Sequence, residues 1–299
     1  MHSTQRWDVG YSCALMTERA DLLELCDRMP AFPASVQRVL ALASDMNTAP
    51  KELVRVVEHD PVLTLKLLKI ANSAYFGLSR PIVSINHAVV YLGINTVRHV
   101  ALAIAAIGAI PRQNSANFDT DDFLLHSLCT AVITRSLARK MRVAEVDAAN
   151  YFVAGLLHDI GQVVFSQFEA PAYKEVLQTA QEKMRPIYSS EQDRFGADHS
   201  ELGALLGERW QLPKRLTKAI RLHHVPPSRP GRNPMRDCLF VANLLSARLH
   251  LPTNGPPAME EADLPAWVFQ QFGGDFDSIL QHLDGIESEL AVATEMFHQ

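Results

Sequence analysis

An all-α fold is what this sequence predicts, and three observations carry the prediction. Helix signals dominate the chain, strand-like alternation of β-branched residues is scarce, and helix-start pairs such as Asp60-Pro61 punctuate the apolar segments. Thr48 can cap a first clear helix with Pro50 in its opening turn, running through Leu53, Val54, Val56 and Val57 to Glu58-His59. Asp60 then caps the next helix, where Pro61 fits the first helical position without removing a needed donor. Its apolar residues Val62, Leu63, Leu65, Leu67, Leu68, Ile70 and Ala74 span a wide arc, which predicts packing on more than one side.

Gly77 and Ser79-Arg80-Pro81 break that helix, and two more flank Gly93, over residues 86–92 and 95–110. The most apolar stretch, 100–110, is too short to cross a bilayer, which needs roughly 20 residues, and reads as a buried helix. A polar linker over 113–122 leads to helices over 123–141 and 151–165. Ser189-Ser190-Glu191-Gln192 offers a capping box for a helix through Trp210, and Pro213 starts the next. Pro226, Pro227 and Pro230 stop that helix after His223-His224; residues 235–250 return to helix, and two last helices follow a Pro/Gly-containing connector. The expected organisation is a tail over 1–17, a helical lobe over 18–112, a second over 113–250, and C-terminal helices over 251–299 packing on them.

Composition excludes several classes. Hydrophobic residues make up 47% and charged residues 20%, with only 14 Gly and 17 Pro among 299 residues, so the chain is neither collagen-like nor disordered. Its formal charge of -5 gives no general affinity for a phosphate backbone and leaves room only for a local basic patch. Cys13, Cys26, Cys129 and Cys238 form no CxxC pair and read as free thiols of a reducing compartment. The amino terminus shows no basic segment followed by an apolar run, so a cytoplasmic location is expected.

Five of the twelve histidines, His126, His158, His199, His223 and His224, fall on or at the ends of expected helices. A helical array can bring such imidazoles to one point. The sharpest segment is Ala154-Gly155-Leu156-Leu157-His158-Asp159-Ile160-Gly161. Neighbouring residues on a regular helix are about 100° apart, so His158 and Asp159 reach one ion only near a helix end or distortion, which Gly161 permits. Imidazole plus carboxylate suits a divalent transition metal. The competing reading makes these histidines hydrogen-bonded polar groups of the core.

Here the sequence resembles the HD superfamily of metal-dependent phosphohydrolases, and more closely its HDOD branch, the HD-related output domain. The resemblance covers about residues 23–249. It runs through Met29-Pro30-Ala31-Phe32-Pro33, His59-Asp60-Pro61-Val62-Leu63-Thr64, Leu67-Leu68-Lys69-Ile70-Ala71-Asn72-Ser73-Ala74-Tyr75-Phe76-Gly77 and residues 88–97. It continues in His126-Ser127-Leu128, residues 155–161, His199-Ser200-Glu201-Leu202-Gly203-Ala204, Trp210-Gln211-Leu212-Pro213 and His223-His224.

That resemblance implies a multi-helix HD-like bundle with an N-terminal helical lobe, and a bacterial signalling output module. It places the metal ligands of catalytic relatives on His126, His158, Asp159, His199, His223 and His224. Two departures stand out: Gln162 replaces the lysine that follows the HD segment, and Asn243 replaces a late aspartate. Asp122, four residues before His126, is either an extra carboxylate of the site or a first-turn helix acid.

Other motifs read as structural. His59-Asp60 is a second HD dipeptide, but with proline next its aspartate is a helix cap. The helix pair around Gly93 suggests a helix-turn-helix, yet its second helix offers only Arg98 and His99 before turning apolar. Phe272-Gly273-Gly274-Asp275-Phe276 lacks the acidic residue of a cyclase signature and reads as a turn before the last helix.

The expectation is therefore a signal-transduction output module acting through a signalling protein partner or a nucleotide-like ligand, with impaired catalysis. Metal binding, by iron, manganese or zinc, is expected to be weak or absent, and turnover slight. The alternatives are a metal-dependent phosphohydrolase, acting as phosphodiesterase or nucleotide phosphatase, and a DNA-associated regulator. Nucleic acid is not an expected partner, and no membrane span is expected.

Overall fold

Capping chemistry sets the helix boundaries of the N-terminal region. Helices α1 (Arg19–Arg28), α2 (Ala34–Ser44), α3 (Pro50–Glu58) and α4 (Pro61–Asn72) are followed by α5 (Ile85–Leu92) and α6 (Ile94–Gly108). The computed structural model describes residues 19–29, 34–44, 50–72, 81–108, 115–227, 233–249, 266–281 and 283; Thr48, Gly77 and Cys13 lie outside them. Asp60 Oδ1 accepts the Leu63 amide at 2.9 Å, and its Oδ2 accepts the Ser35 hydroxyl at 2.6 Å, so one carboxylate caps α4 and ties it to α2. On α4, Leu63, Leu67 and Ala71 are buried four residues apart and Leu68 packs partly buried against the same core, while Leu65, expected in the apolar arc, is 69% exposed. Gly93, at φ 81°, joins α5 to α6. Thr96, Val97, Arg98 and Val100 of α6 are buried, and Arg98 Nη2 donates to Gln211 O at 3.1 Å, so these residues serve packing rather than a nucleic-acid groove.

The second half is built on α7 (Thr120–Lys140), which packs along α8 (Glu145–Leu157) and α14 (Pro234–Arg248). Asp119 accepts the amides of Asp121 and Asp122, each at 3.0 Å, which starts α7 inside the stretch expected to be linker. A methyl at Gly155 would lie 2.4 Å from Ala131 Cα, so only glycine lets α8 approach α7 this closely. The single helix expected over 151–165 is two, because α8 ends at Leu157 and α9 (Ile160–Phe168) begins after Asp159. Helix α10 (Ala170–Glu182) was not legible in advance.

The helix expected from Ser189 through Trp210 is also two, α11 (Ile187–Phe195) and α12 (His199–Arg209). Gly196, at φ 73°, ends the first, and Asp198 Oδ1 caps the second by accepting the Ser200 and Glu201 amides. Helix α13 (Lys214–Arg221) starts after Pro213, and α15 (Ala266–Phe272) and α16 (Phe276–Gln281) are joined by Gly273 and Gly274 at φ 96° and 103°.

The larger apolar cluster runs from Leu53, Val57 and Ala101 to Ile133, Val153, Leu239 and Phe272. A second cluster joins Leu22 and Leu25 of α1 to α9, α10 and α12, around stacked Phe165 and Phe195 rings 4.4 Å apart. Each such side chain, fully buried, contributes about 1.5–3 kcal/mol, so α9 and α12 are held firmly on both sides of the histidine region. Among the described residues there is no strand, and no helix is long and apolar enough to cross a membrane. Cys26, Cys129 and Cys238 are free and buried.

Candidate metal centre

The break between α8 and α9 is what brings His158 and Asp159 to one point. The pair occupies the two residues between the helices, and the Asp159 side chain makes no capping hydrogen bond, which leaves its carboxylate for the cluster. Gly161 is required two residues later: a methyl there would stand 2.1 Å from His199 O, so the first turns of α9 and α12 touch through backbone. His126 comes from α7, His199 opens α12, and His223 and His224 follow α13 after its capping residue Leu222.

Three imidazoles converge on a single oxygen. Nε2 of His158, His199 and His223 lies 3.1, 3.2 and 3.2 Å from Asp159 Oδ1. In each ring Nδ1 is engaged on the far side: His158 with Gly155 O at 2.7 Å, His223 with Ile220 O at 2.6 Å, and His199 with Glu191 Oε2 at 2.6 Å. A neutral imidazole whose Nδ1–H donates outward presents a bare Nε2 lone pair inward. Neither His158 Nε2, His223 Nε2 nor Asp159 Oδ1 forms a hydrogen bond, although all three are buried.

Lone pairs aimed at a carboxylate oxygen repel unless a proton or cation lies between them. Ligands about 2.0–2.2 Å from a metal stand roughly 3.0–3.4 Å from one another in a tetrahedral or octahedral sphere, and each of the three Nε2 atoms lies at that spacing from Asp159 Oδ1. The donor set, the unsatisfied lone pairs and the fixed tautomers therefore fit a divalent transition metal.

Two donor groups share Asp159: with His199, His223 and His224, and with His126 and His158, each group's ligand atoms falling within 4.8 Å of one another. His224 is partly exposed; its Nε2 lies 2.8 Å from His199 Nε2, and its ring stacks on Tyr188 at 4.4 Å. Gln162 Nε2 donates to Asp159 Oδ2 at 2.9 Å, and Asn243 Oδ1 accepts from His126 Nε2 at 2.9 Å. Both departures from the catalytic pattern thus sit at the cluster as hydrogen-bond partners of its members. Asp122 does not join it; it is a first-turn acid of α7 whose carboxyl is pushed up by partial burial and by Asp119 and Asp121.

Electrostatics separate the histidines. Burial pushes His126 down to about 4, with Asp159 opposing, and burial also lowers His223. His224 falls well below the ordinary range through burial and the neighbouring His223 and His199. Burial acts on His199 in the same sense, but Glu191 and Asp159 outweigh it and hold its imidazole well above that range. Asp159 is pushed up by burial and pulled down further by His158 and His199, ending well below the usual carboxylate range.

Sequence reasoning missed Glu191 and Tyr173. Glu191, read as part of a capping box, is fully buried: its Oε2 accepts both the His199 amide at 2.8 Å and His199 Nδ1, while Tyr173 donates to its Oε1 at 3.0 Å. The signal available was Gly196 followed by Asp198, a stop and a start that fold α11 back against the head of α12.

Comparison with known proteins follows the same lines. The HDOD domain model matches residues 29–226, more than half of the chain. The structure of an HDOD domain protein of unknown function from Geobacter sulfurreducens superposes with a TM-score of 0.72 at 25% identity, covering 94% of this chain and 100% of that one. A candidate phosphohydrolase from Shewanella amazonensis SB2B gives 0.70 at 24%, covering 93% and 98%. An uncharacterised protein of Treponema pallidum (strain Nichols) is 26% identical over 230 residues, 75% of this chain and 43% of its own length, so the chain spans less than half of that curated relative.

Proposed function

This chain belongs to the HDOD domain family, and from that premise we propose that it is a signalling output module built around a bound divalent transition metal. The observation that carries the reading is the convergence of three Nε2 atoms on Asp159 Oδ1, each ring locked by an outward Nδ1 contact. Such outward contacts fix ligand orientation and raise ligand basicity. This geometry supports firmer binding than Asn243 and Gln162 alone suggest from sequence.

When bound, a metal supplies a Lewis-acid centre; the chain's own residues hold and orient it, and they also seal it. His158, His199, His223 and Asp159 are 0–5% exposed, and the residue beside Asp159 is the neutral Gln162 rather than a cation for a phosphoryl group. We therefore assign the output to a protein surface or nucleotide-like ligand in a bacterial cytoplasm, with lobes over 18–112 and 113–250. The second reading, a phosphohydrolase, is favoured by His224, whose partly exposed ring links the cluster to solvent.

The test is turnover by metal-loaded protein of a chromogenic phosphodiester and of cyclic dinucleotides. No metal-dependent hydrolysis above background supports the output reading. Robust hydrolysis lost in folded His158→Ala and Asp159→Ala variants contradicts it in favour of an enzyme.

A further inference from the structure

The net charge of -5 leaves room for a local basic patch, and α13 carries one. Leu216, Ala219 and Ile220 bury its inner face, while Lys214, Arg215 and Lys218 are exposed. Lys214 and Lys218 are four residues apart and so share one face. They line a surface cleft of about 530 Å³ together with Leu212, Leu222, Arg221 and Glu208. A volume of that order is in the range of small-molecule sites.

Charges in the cleft are not balanced. Arg221 is clamped by Glu201 and by Glu208, the latter at 2.8 Å, so its single positive charge is shared by two carboxylates and is taken up within the protein. Among the described residues Lys214 and Lys218 have no ion-pair partner, and with Arg221 set against Glu201 and Glu208 the cleft keeps a net positive charge beside the buried Leu212 and half-buried Leu222. We propose that this cleft binds a small organic phosphate, with phosphoryl oxygens on the Lys214 and Lys218 ammonium groups and the apolar body against Leu212 and Leu222. Ammonium groups serve as point charges for phosphate, and an apolar floor supplies the affinity that phosphate alone lacks.

The site is separate from the histidine cluster, although Arg221 lies two residues before His223 and its carbonyl accepts the Ser200 hydroxyl at 3.2 Å, next to His199. The experiment uses the full chain as purified, and phosphate held by an ion at the histidine cluster would be lost in His158→Ala. ADP is titrated by calorimetry into wild type, the Lys214→Glu/Lys218→Glu double variant and His158→Ala, with adenosine as the uncharged control. The proposal predicts ADP binding that weakens with salt, falls about tenfold or more in the double variant, persists in His158→Ala and is not reproduced by adenosine. Unchanged far-UV spectra establish folding, and Lys214→Gln/Lys218→Gln replaces the reversal should it perturb the fold. Absence of ADP binding, binding indifferent to both lysines, or binding lost in His158→Ala overturns the site.

Discussion

Replacing Gly161 by alanine tests whether backbone contact between α9 and α12 positions the cluster. The added methyl would meet His199 O at 2.1 Å, C at 2.8 Å and Cα at 2.9 Å, all backbone, so no side chain can swing away. The first of these falls about 1.3 Å short of ordinary contact. Relieving such overpacking costs about 1–3 kcal/mol and occasionally more, whereas glycine to alanine within a helix gains at most about 1 kcal/mol. The expected net loss is about 2 kcal/mol in urea or thermal unfolding, with a parallel loss of metal affinity as His199 is pushed from Asp159. Gly108→Ala is the matched control: nothing lies within 4 Å of its methyl, and stability should hold or rise slightly. A Gly161→Ala protein as stable as wild type, with unchanged metal affinity, would refute the reasoning.

Glu191→Gln should keep the fold but release His199 from its orienting carboxylate, lowering metal affinity by about 10–100-fold in calorimetry; an unchanged affinity would contradict that role. Asp60→Ala removes the α4 cap and the Ser35 tie, and should cost about 1–2 kcal/mol while leaving metal content unchanged, which separates this HD dipeptide from His158-Asp159. Burial pushes the Cys26 thiol up to about 11 and Cys129 up to about 12, and raises Cys238 well above its ordinary range. Because only the thiolate reacts, mass spectrometry after iodoacetamide treatment at pH 8 should find these three unmodified in native protein and labelled after denaturation.

Local chemistry was the readable part of this sequence. Asp60-Pro61, Gly93, Pro213 and the glycines around His158-Asp159 declare boundaries through capping and steric freedom, which need no tertiary context. The histidines were recognisable as a set because imidazole and carboxylate share a ligand chemistry. What stayed hidden depends on where helices turn. Leu65 has the apolar character of a core residue, yet it is left outside while Leu63, Leu67 and Ala71 are buried. Glu191 looks like a surface acid until Gly196 and Asp198 fold α11 onto the head of α12, which buries it against His199. Asn243 and Gln162 were legible as substitutions, but their pairing with His126 and Asp159 follows only from the packing of α14 and α9.

Elemental analysis of the full chain purified without chelator, beside Asp159→Ala prepared identically, bears most directly on the metal centre. Asp159 is the residue on which both donor groups depend. The account predicts near-stoichiometric iron, manganese or zinc in wild type and its loss in the folded variant. Wild-type protein that is folded, metal-free and takes up none of the three when they are supplied would contradict it.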